Sequence, residues 1–259
     1  MTHFFSGDSP LIAAHRGFPL NHPENTLPAF QAALAAGADL IETDVHGSRD
    51  GVAMIAHDPG LWRVAGRSGM VNRFLASELA RVDLGGASMP TLVEALDAFP
   101  DVRFSVDVKD EAAIPGTINA IQRTNAHERV MIASFSHRRR NAVLRGLPGI
   151  TSSGTHRHVL AGLSGLGSLT RALKHVDALF IPTQAYGVSL FSPTMVKSAR
   201  AHNVALGAWT INDPDEMAQL WRSGARVIVT DRTDLAREVR ESLGAMPTSP
   251  SRGSQAPER

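Results

Sequence analysis

Two acidic residues stand one residue apart in the stretch IETDVHG, which spans residues 41–47. If Leu40 to Val45 form a strand, Glu42 and Asp44 share one face, because strand side chains alternate between two faces. Two carboxylates held this close repel each other unless a cation lies between them. Asp107, at the end of another predicted strand, would supply a third carboxylate. Such an oxygen-rich site in a chain without cysteine favours Mg²⁺, Ca²⁺ or Mn²⁺ over zinc.

Basic residues and histidines follow the same strand ends. Arg16 and Lys109 are cations beside a predicted metal site, which makes sense only if an anion binds there too, and the arginine fork matches phosphate geometry. His15 and His57 can supply a general base and a general acid near neutral pH. Together these groups predict cleavage of a phosphodiester. We assign His15 as base because it adjoins Arg16, and His57 as acid, with the reverse assignment left open.

Each of these residues also has a structural interpretation. A lone His15 can be a hydrogen-bonded structural histidine, and Asp107 and Lys109 can simply neutralise each other. Trp209 can belong to the core, and Asp231 is interpreted as the N-cap of the last helix. Taken together, these structural interpretations are less convincing than each is alone. Acids, bases and histidines stand at the ends of several different strands, and in a barrel these strand ends would all meet at one mouth.

Short apolar runs alternate with amphipathic segments and predict the elements that would position these residues. Eight strands alternating with helices are typical of a (β/α)8 TIM barrel, and a doubly wound sheet is the alternative. In a barrel, the chemistry lies where strands end and βα loops begin. Helices are predicted over Thr26–Ala36, Thr91–Phe99 and Asp213–Ser223. The predicted strands are Pro10–Ala14, Asp39–Val45, Arg103–Val108, Arg129–Ser134, Gly149–Ser152, Ala178–Pro182, Val204–Thr210 and Arg226–Thr230.

A short excursion is predicted after the second strand. It begins with an extra strand over Gly51–Ala56 and continues through Trp62–Ala87. Residues 1–245 are interpreted as one catalytic domain. Residues 246–259 are rich in Pro, Ser and Gly and almost free of apolar side chains, so this tail is predicted to be disordered.

Composition excludes several classes of function. The formal net charge is +1, so bulk charge gives no reason to expect nucleic-acid binding. No apolar run is long enough for a membrane span, and residues 1–10 lack the features of a signal peptide, so we expect a cytoplasmic protein without a stable membrane anchor. The expected partner is a small-molecule substrate, and the sequence leaves the oligomeric state open.

Several short motifs follow one another along the chain. They include His15-Arg16-Gly17, Pro23-Glu24-Asn25-Thr26, Glu42-x-Asp44, Asp50-Gly51, His57-Asp58, Asp107-Val108-Lys109 and Trp209-Thr210-Ile211-Asn212. In this order they resemble the motifs of the glycerophosphodiester phosphodiesterases, and the likeness spans roughly residues 11–240. The resemblance implies a TIM barrel that hydrolyses glycerophosphodiesters to sn-glycerol 3-phosphate and an alcohol, using a divalent metal.

The resemblance also implies roles for individual residues. Trp209 resembles an aromatic residue that lines the substrate site, and Glu24 matches a position near the site whose role the resemblance leaves open. The other matches are His15 and His57 as the acid–base pair, Glu42 and Asp44 as metal ligands, and Arg16 and Lys109 as cations that contact phosphate.

One departure from the family pattern keeps alternatives open. The third metal ligand is usually a glutamate, whereas this chain has Asp107, as do the related sphingomyelinase D-like phospholipases. Cleavage of lysophospholipids in the same site, by way of a cyclic phosphate, is therefore an alternative. Two further alternatives are an aldolase-type barrel with Lys109 as nucleophile and a non-catalytic barrel that binds phosphodiesters. The short segment after His57 predicts an open site for a small or variable alcohol.

Overall fold

A computed structural model describes residues 3–7, 9–185 and 187–245 of the protein. The eleven strands within these residues confirm the eight predicted strands and the predicted extra strand after β2, and they add a small hairpin after β7. The strands are β1 Leu11–His15, β2 Leu40–Gly47, β3 Ala53–Ile55, β4 Arg103–Val108, β5 Val130–Ala133, β6 Thr151–Ser152, β7 Ala178–Ile181, β8 Gln184–Ala185, β9 Val188–Ser189, β10 Ala205–Ala208 and β11 Val227–Thr230.

Helices fill most of the connections between the strands. Short 3-10 helices span His3–Phe5, Val71–Arg73 and Arg171–His175. The α-helices are α1 Leu27–Ala35, α2 Trp62–Ala65, α3 Ala76–Leu79, α4 Leu92–Ala98, α5 Ala113–Arg123, α6 His137–Gly146, α7 His156–Ser164, α8 Gly167–Thr170, α9 Pro193–Ala201, α10 Pro214–Ser223 and α11 Thr233–Ala245.

Eight parallel strands form a nearly closed barrel, as the sequence predicts. Their order is β6-β5-β4-β2-β1-β11-β10-β7, and a parallel bridge between Ser153 and Ala178 joins the two ends of this series. β3 pairs antiparallel with β2 outside the ring. The doubly wound alternative is therefore wrong, because an open sheet keeps two edge strands, whereas here the first strand β1 pairs with the last strand β11 and the bridge joins the ends of the series.

Alternation along the strands separates two apolar cores. Leu40 packs inside the barrel with Leu11 and Val227, while Ile41 and Val45 pack outward in the layer beneath the helices. Glu42 and Asp44 have the same parity as Leu40, so they share the inner face, as the opening stretch predicts.

Aromatic residues close the end of the barrel where the strands begin. Phe4 and Phe5 are fully buried against the first inward residues of the strands. Arg226 holds this N-terminal segment in place by donating hydrogen bonds to the carbonyls of Phe5, Ser6, Gly7 and Ser9. The opposite end, the mouth, is thereby left as the open one.

The predicted helix boundaries also hold. The side chain of Asp213 accepts a hydrogen bond from Glu216 N at 2.8 Å, and α10 ends at Gly224 in the left-handed region. The excursion after β2 contains α2, α3 and its own small apolar core around Leu61 and Leu79.

The predicted tail, residues 246–259, lies outside the described residues. In the part of the chain that is described, none of the helices combines the length and apolarity needed to cross a bilayer.

Candidate active site

The barrel mouth brings the predicted site residues together. A cavity of about 290 Å³ opens there, at the carboxyl ends of the strands. Glu24 lies outside its wall and contacts Arg16, whose Nη1 is 3.2 Å from Glu24 Oε1. The cavity is lined by the other predicted residues, namely His15, Arg16, Glu42, Asp44, His57, Asp107, Lys109 and Trp209.

Strand register explains this convergence. His15 on β1 is directly opposite Glu42 on β2, and Asp44 is directly opposite Asp107 on β4. All of these side chains have inward parity, so neighbouring strands deliver them to one point. His57 reaches the same cavity from the segment just after β3, which pairs with the end of β2.

Both histidines are held in the same way. Nδ1 of His15 lies 2.7 Å from Asp231 Oδ1, and Nδ1 of His57 lies 2.6 Å from Asp58 Oδ1. Because a carboxylate only accepts, Nδ1 carries the proton in each ring. The Nε2 atoms make no hydrogen bond within the described residues, so they are free to exchange a proton with a substrate in the cavity.

The prediction that Asp231 caps the last helix is wrong. α11 begins at Thr233, and both oxygens of Asp231 are used elsewhere, by His15 and by the side-chain amide of Asn212 at 2.9 Å. Burial alone would raise the pKa of Asp231, but these hydrogen bonds outweigh it and lower the pKa. Its ionised carboxylate therefore orients a histidine of the site instead of a helix end.

The acidic residues surround an ammonium group in this structure. Lys109 Nζ lies 2.7 Å from Asp44 Oδ1 and 2.7 Å from Asp107 Oδ2. Burial raises the pKa of Glu42 well above its usual value, and the charges of Asp44 and Asp107 raise it further. Burial likewise raises the pKa of Asp107 against the opposing effect of Lys109. The positive charge of Lys109 is thus too small to offset the burial and mutual repulsion of the three carboxylates.

Lys109 is poorly suited to attack a carbonyl group. Burial by itself would lower the pKa of this lysine, but the charges of Asp44 and Asp107 outweigh it and raise the pKa above its usual value. An amine that stays protonated is not a nucleophile. The aldolase-type alternative therefore loses its central residue.

The carboxylates fit a divalent cation in their chemistry. Oε2 of Glu42 and Oδ1 of Asp107 are buried and have no hydrogen-bond partner in the described part of the chain, which is costly for carboxylate oxygens. Within those same residues, no group of three or more His, Cys, Asp and Glu side chains is already arranged as a metal site. The donor set therefore suits Mg²⁺, Ca²⁺ or Mn²⁺, provided that the Lys109 ammonium withdraws from between Asp44 and Asp107.

Arg16 is held beside the cluster by an unusual backbone. Its φ is 57°, in the left-handed region, and Gly17 follows with a φ of 94°. A Cβ on Gly17 would meet the backbone of Ala29 at 2.8 Å, so this turn requires glycine. Arg16 Nε lies 3.4 Å from Asp44 Oδ2 but makes no hydrogen bond among the described residues, which leaves this N–H available for an anion.

Asn25 fixes the orientation of Asp44. Its side-chain amide donates to Asp44 Oδ2 at 3.2 Å and accepts from the hydroxyl of Thr43 at 2.7 Å. In the sequence, Asn25 is recognisable only as part of the motif Pro23-Glu24-Asn25-Thr26. The structure makes it a support for one of the predicted metal ligands.

The opposite wall of the cavity is apolar. Trp209 lines it together with Phe135, Phe180 and Leu190. The rings of Phe135 and Trp209 meet edge to face with centroids 6.0 Å apart, and Lys109 Nζ lies 5.7 Å from the Phe135 ring centre. The cavity thus places a polar, charged half beside an apolar half, which suits a ligand with both kinds of surface.

The roles of several residues of this site were not predicted from the sequence. Asp231 has the same inward parity on its strand as Val227 and Val229, a signal that could have placed it at the mouth. Phe135 immediately follows a predicted strand, which is the position of a loop residue at the mouth. Arg63, which contacts Glu24 and Asp58, carries no such signal, because its partners are set by long-range folding.

Comparison with known proteins identifies the family. The model of the glycerophosphoryl diester phosphodiesterase family matches residues 15–235. The chain is 42% identical over 237 residues to "Probable glycerophosphodiester phosphodiesterase 2" of Mycobacterium tuberculosis, covering 88% of this chain and 90% of that protein. It is 30% identical over 240 residues to a glycerophosphodiester phosphodiesterase of Caldanaerobacter subterraneus, covering 85% and 93%.

Solved structures agree in fold. A glycerophosphodiester phosphodiesterase from Agrobacterium tumefaciens has a TM-score of 0.77 at 27% identity and covers 90% of this chain and 99% of that chain. An Oleispira antarctica phosphodiesterase, solved in complex with the product sn-glycerol-3-phosphate, has a TM-score of 0.77 at 22% identity, with coverages of 90% and 97%.

The barrel, its mouth and these relatives define an enzyme of the phosphodiesterase class. The chain belongs to the glycerophosphoryl diester phosphodiesterase family. Its activity is that of a glycerophosphodiester phosphodiesterase, acting on a small-molecule diester.

Proposed function

We propose that the protein hydrolyses glycerophosphodiesters to sn-glycerol 3-phosphate and an alcohol by acid–base catalysis with His15 and His57. The observation that carries this proposal is the pairing of each histidine with its own aspartate at one cavity. Each pairing engages Nδ1 and leaves Nε2 of a cavity-lining histidine without a hydrogen bond among the described residues, so two proton-transfer groups are available at one cavity.

Arg16 and Lys109 bind the phosphate in this mechanism. The Nε of Arg16 is free of a hydrogen bond within the described residues, and the Lys109 ammonium stands beside it across Asp44. Both cations favour an anionic diester and oppose the negative charge that develops during attack. Asn25 and Glu24 keep Asp44 and Arg16 in place by hydrogen bonds.

The two histidines then move protons in opposite directions. His15 takes a proton from the attacking hydroxyl. This hydroxyl belongs either to water, which gives sn-glycerol 3-phosphate directly, or to the substrate's own glycerol, which gives a cyclic phosphate that water then opens to sn-glycerol 3-phosphate. His57 enters this step doubly protonated, with Asp58 holding its Nδ1–H, and gives its Nε2 proton to the leaving alcohol oxygen as the bond from phosphorus to that oxygen breaks. We assign His15 as the base because it adjoins Arg16, and the experiment below also distinguishes the reverse assignment.

A divalent cation is part of the proposal. Glu42, Asp44 and Asp107 would hold it, because their carboxylates are clustered and two of their buried oxygens lack partners in the described chain. When bound, such a cation supplies Lewis-acid stabilisation of the phosphoryl oxygens. Mg²⁺ and Ca²⁺ are the expected ions, with Mn²⁺ as a further choice.

Cleavage of lysophospholipids is the second candidate function. The apolar wall formed by Phe135, Phe180, Leu190 and Trp209 favours it, because an acyl chain would bury apolar surface there. A panel that compares sn-glycerol 3-phosphate release from short-headgroup glycerophosphodiesters with cleavage of lysophospholipids decides between the two substrate classes.

The mechanism is tested by His15→Ala and His57→Ala. Each should lower kcat by about 10²- to 10⁴-fold with the fold retained, since that is the usual contribution of a positioned acid or base. A substrate with a p-nitrophenol leaving group needs no proton on departure. The variant that lacks the acid should recover on this substrate, whereas the variant that lacks the base should not.

Two results would overturn the mechanism. If both variants keep more than about a tenth of wild-type kcat, the acid–base pair lies elsewhere, because this loss is far below the acid–base range. If excess metal restores either variant, that histidine supports metal binding and does not transfer a proton.

A further inference from the structure

A series of ion pairs joins the two sides of the mouth. It starts at Arg16, whose Nη1 is 3.2 Å from Glu24 Oε1. Glu24 receives two hydrogen bonds of 2.7 Å from the guanidinium of Arg63. Arg63 also donates from Nε to Asp58 Oδ2 at 2.5 Å, and the other oxygen of Asp58 holds His57. The group proposed to bind phosphate is thus linked to a group proposed to transfer a proton.

Arg63 is the only member of this series that joins two separate loops. Glu24 belongs to the loop after β1, whereas Asp58 follows β3. The guanidinium satisfies both carboxylates at once, with its Nε edge on Asp58 and its two Nη atoms on Glu24. A fork of this shape is peculiar to arginine, since a lysine ammonium is a single point charge.

The backbone at Arg63 is fixed by its surroundings. It lies in the short helix α2, immediately after Leu61 and Trp62. Leu61 is fully buried in the small core of the excursion, and its N–H donates to Gly69 O at 3.0 Å. The excursion therefore delivers Arg63 to the mouth on an anchored segment.

We infer that Arg63 is a positioning residue for His57, acting through Asp58 while its contact with Glu24 holds the guanidinium in place. This inference rests on the proposed catalytic role of His57. Arg63 itself does not line the cavity, so it acts on the reaction through another side chain.

The physical reason lies in how Asp58 is held. One of its oxygens faces His57 and the other faces Arg63, so the carboxylate is fixed from both sides. Among the described residues, the side chain of Asp58 has hydrogen-bond partners only in His57 and Arg63. Without Arg63 the Asp58 carboxylate can rotate away from His57. The imidazole of His57 is then no longer held in the orientation and tautomer that it needs to transfer a proton from Nε2 to the substrate.

The ion pairs of Arg63 are poorly explained by a contribution to folding stability alone. The Arg63 side chain is 46% exposed, and exposed ion pairs contribute little to the folding free energy. Replacing Arg63 should therefore lower the melting temperature by at most about 2–4 °C. A large loss of rate with little loss of stability distinguishes positioning from structural support.

Arg63→Met and Arg63→Lys test the inference, with Arg67→Met as the matched control. Arg67 lies in the same excursion, where its guanidinium is 5.4 Å from the ring centre of Phe74. Arg63→Met should lower kcat about ten- to a hundredfold, the usual effect of losing a group that orients a site residue, with a much smaller change in KM. Arg63→Lys should recover little, because it cannot hold both carboxylates, and Arg67→Met should match wild type.

A double-mutant cycle shows whether the effect passes through Asp58. If it does, Asp58→Asn combined with Arg63→Met should lower kcat no further than Asp58→Asn alone. Losses that multiply in the double variant would overturn the inference. So would an Arg63→Met enzyme within twofold of wild type.

The inference and the proposed function fail in different ways. If His57→Ala stays active, the proposed mechanism is wrong whatever Arg63 does. If His57→Ala is inactive while Arg63→Met and Arg63→Lys retain full kcat, only the positioning role is wrong. Thermal unfolding of each variant separates loss of rate from loss of fold, and Arg63→Lys keeps the test valid if Arg63→Met unfolds.

Discussion

Replacing Asp231 by Asn removes one charge from the active site and leaves the shape of the side chain unchanged. The structure decides how the new amide would lie. Asn212 Oδ1 already accepts hydrogen bonds from Thr230 Oγ1 and Asp231 N, both at 2.9 Å, so Asn212 must present its NH₂ group to residue 231. The substituted amide would then keep its oxygen toward Asn212 and turn its own NH₂ group toward His15.

This orientation reverses the hydrogen bond to His15. Nδ1 would become an acceptor, and the proton of the neutral ring would move to Nε2, the ring nitrogen that Asp231 does not hold. A base whose reactive nitrogen is already protonated cannot take a proton from the attacking hydroxyl. We therefore expect kcat to fall by about 10²- to 10⁴-fold, the range for losing a positioned base or its correct tautomer.

The assay is steady-state release of sn-glycerol 3-phosphate from a glycerophosphodiester at saturating substrate and metal. Asp234→Asn is the matched control, because Asp234 is also a carboxylate held by hydrogen bonds, here from Arg232, but lies outside the cavity. The control should keep wild-type kcat, and both variants should unfold cooperatively. An Asp231→Asn enzyme within about threefold of wild type would refute the argument, because such a loss lies far below the range for a misplaced proton.

Two further outcomes are expected. Chelation with EDTA should abolish activity, and Mg²⁺ or Ca²⁺ should restore it, because the three-carboxylate cluster suits a hard divalent ion; full activity after exhaustive chelation would contradict the metal's role. Hydrogen bonding by Arg63 lowers the pKa of Asp58 to about 2, from an ordinary value of 3.8. The ionised carboxylate therefore stabilises the fold above about pH 4, and this contribution is lost as the pH falls toward 2. Asp58→Asn should therefore be less stable than wild type at pH 6, by at most about 1 kcal/mol because the group is partly exposed to solvent. The difference in unfolding free energy, measured by denaturant unfolding, should shrink toward pH 3. A difference independent of pH would show that Asp58 acts through packing.

Alternation along strands made most of the barrel mouth predictable from the sequence. Glu42, Asp44 and Asp107 lie on strands whose apolar residues already fix which face is inward. Parallel strands then bring their carboxyl ends to one mouth, so residues far apart in the chain become neighbours without any knowledge of tertiary contacts.

Residues that depend on contacts between loops escaped prediction. Asp231 precedes a helix, and the local signal for an N-cap outweighed its inward parity. Arg63 and Glu24 meet across two loops, and no local pattern records such an ion pair. The position of Lys109 between Asp44 and Asp107 follows from charge balance in the folded cluster, which the sequence alone leaves undetermined.

The closed end of the barrel has a consequence for engineering the enzyme. Phe4, Phe5 and Arg226 seal the end opposite the mouth and share no residue with the cavity. Loops at the mouth can therefore be exchanged to admit other alcohols without disturbing this seal. Linking the protein to a solid support through the sealed face would leave the path of the diester open, so the fold suits use as an immobilised biocatalyst.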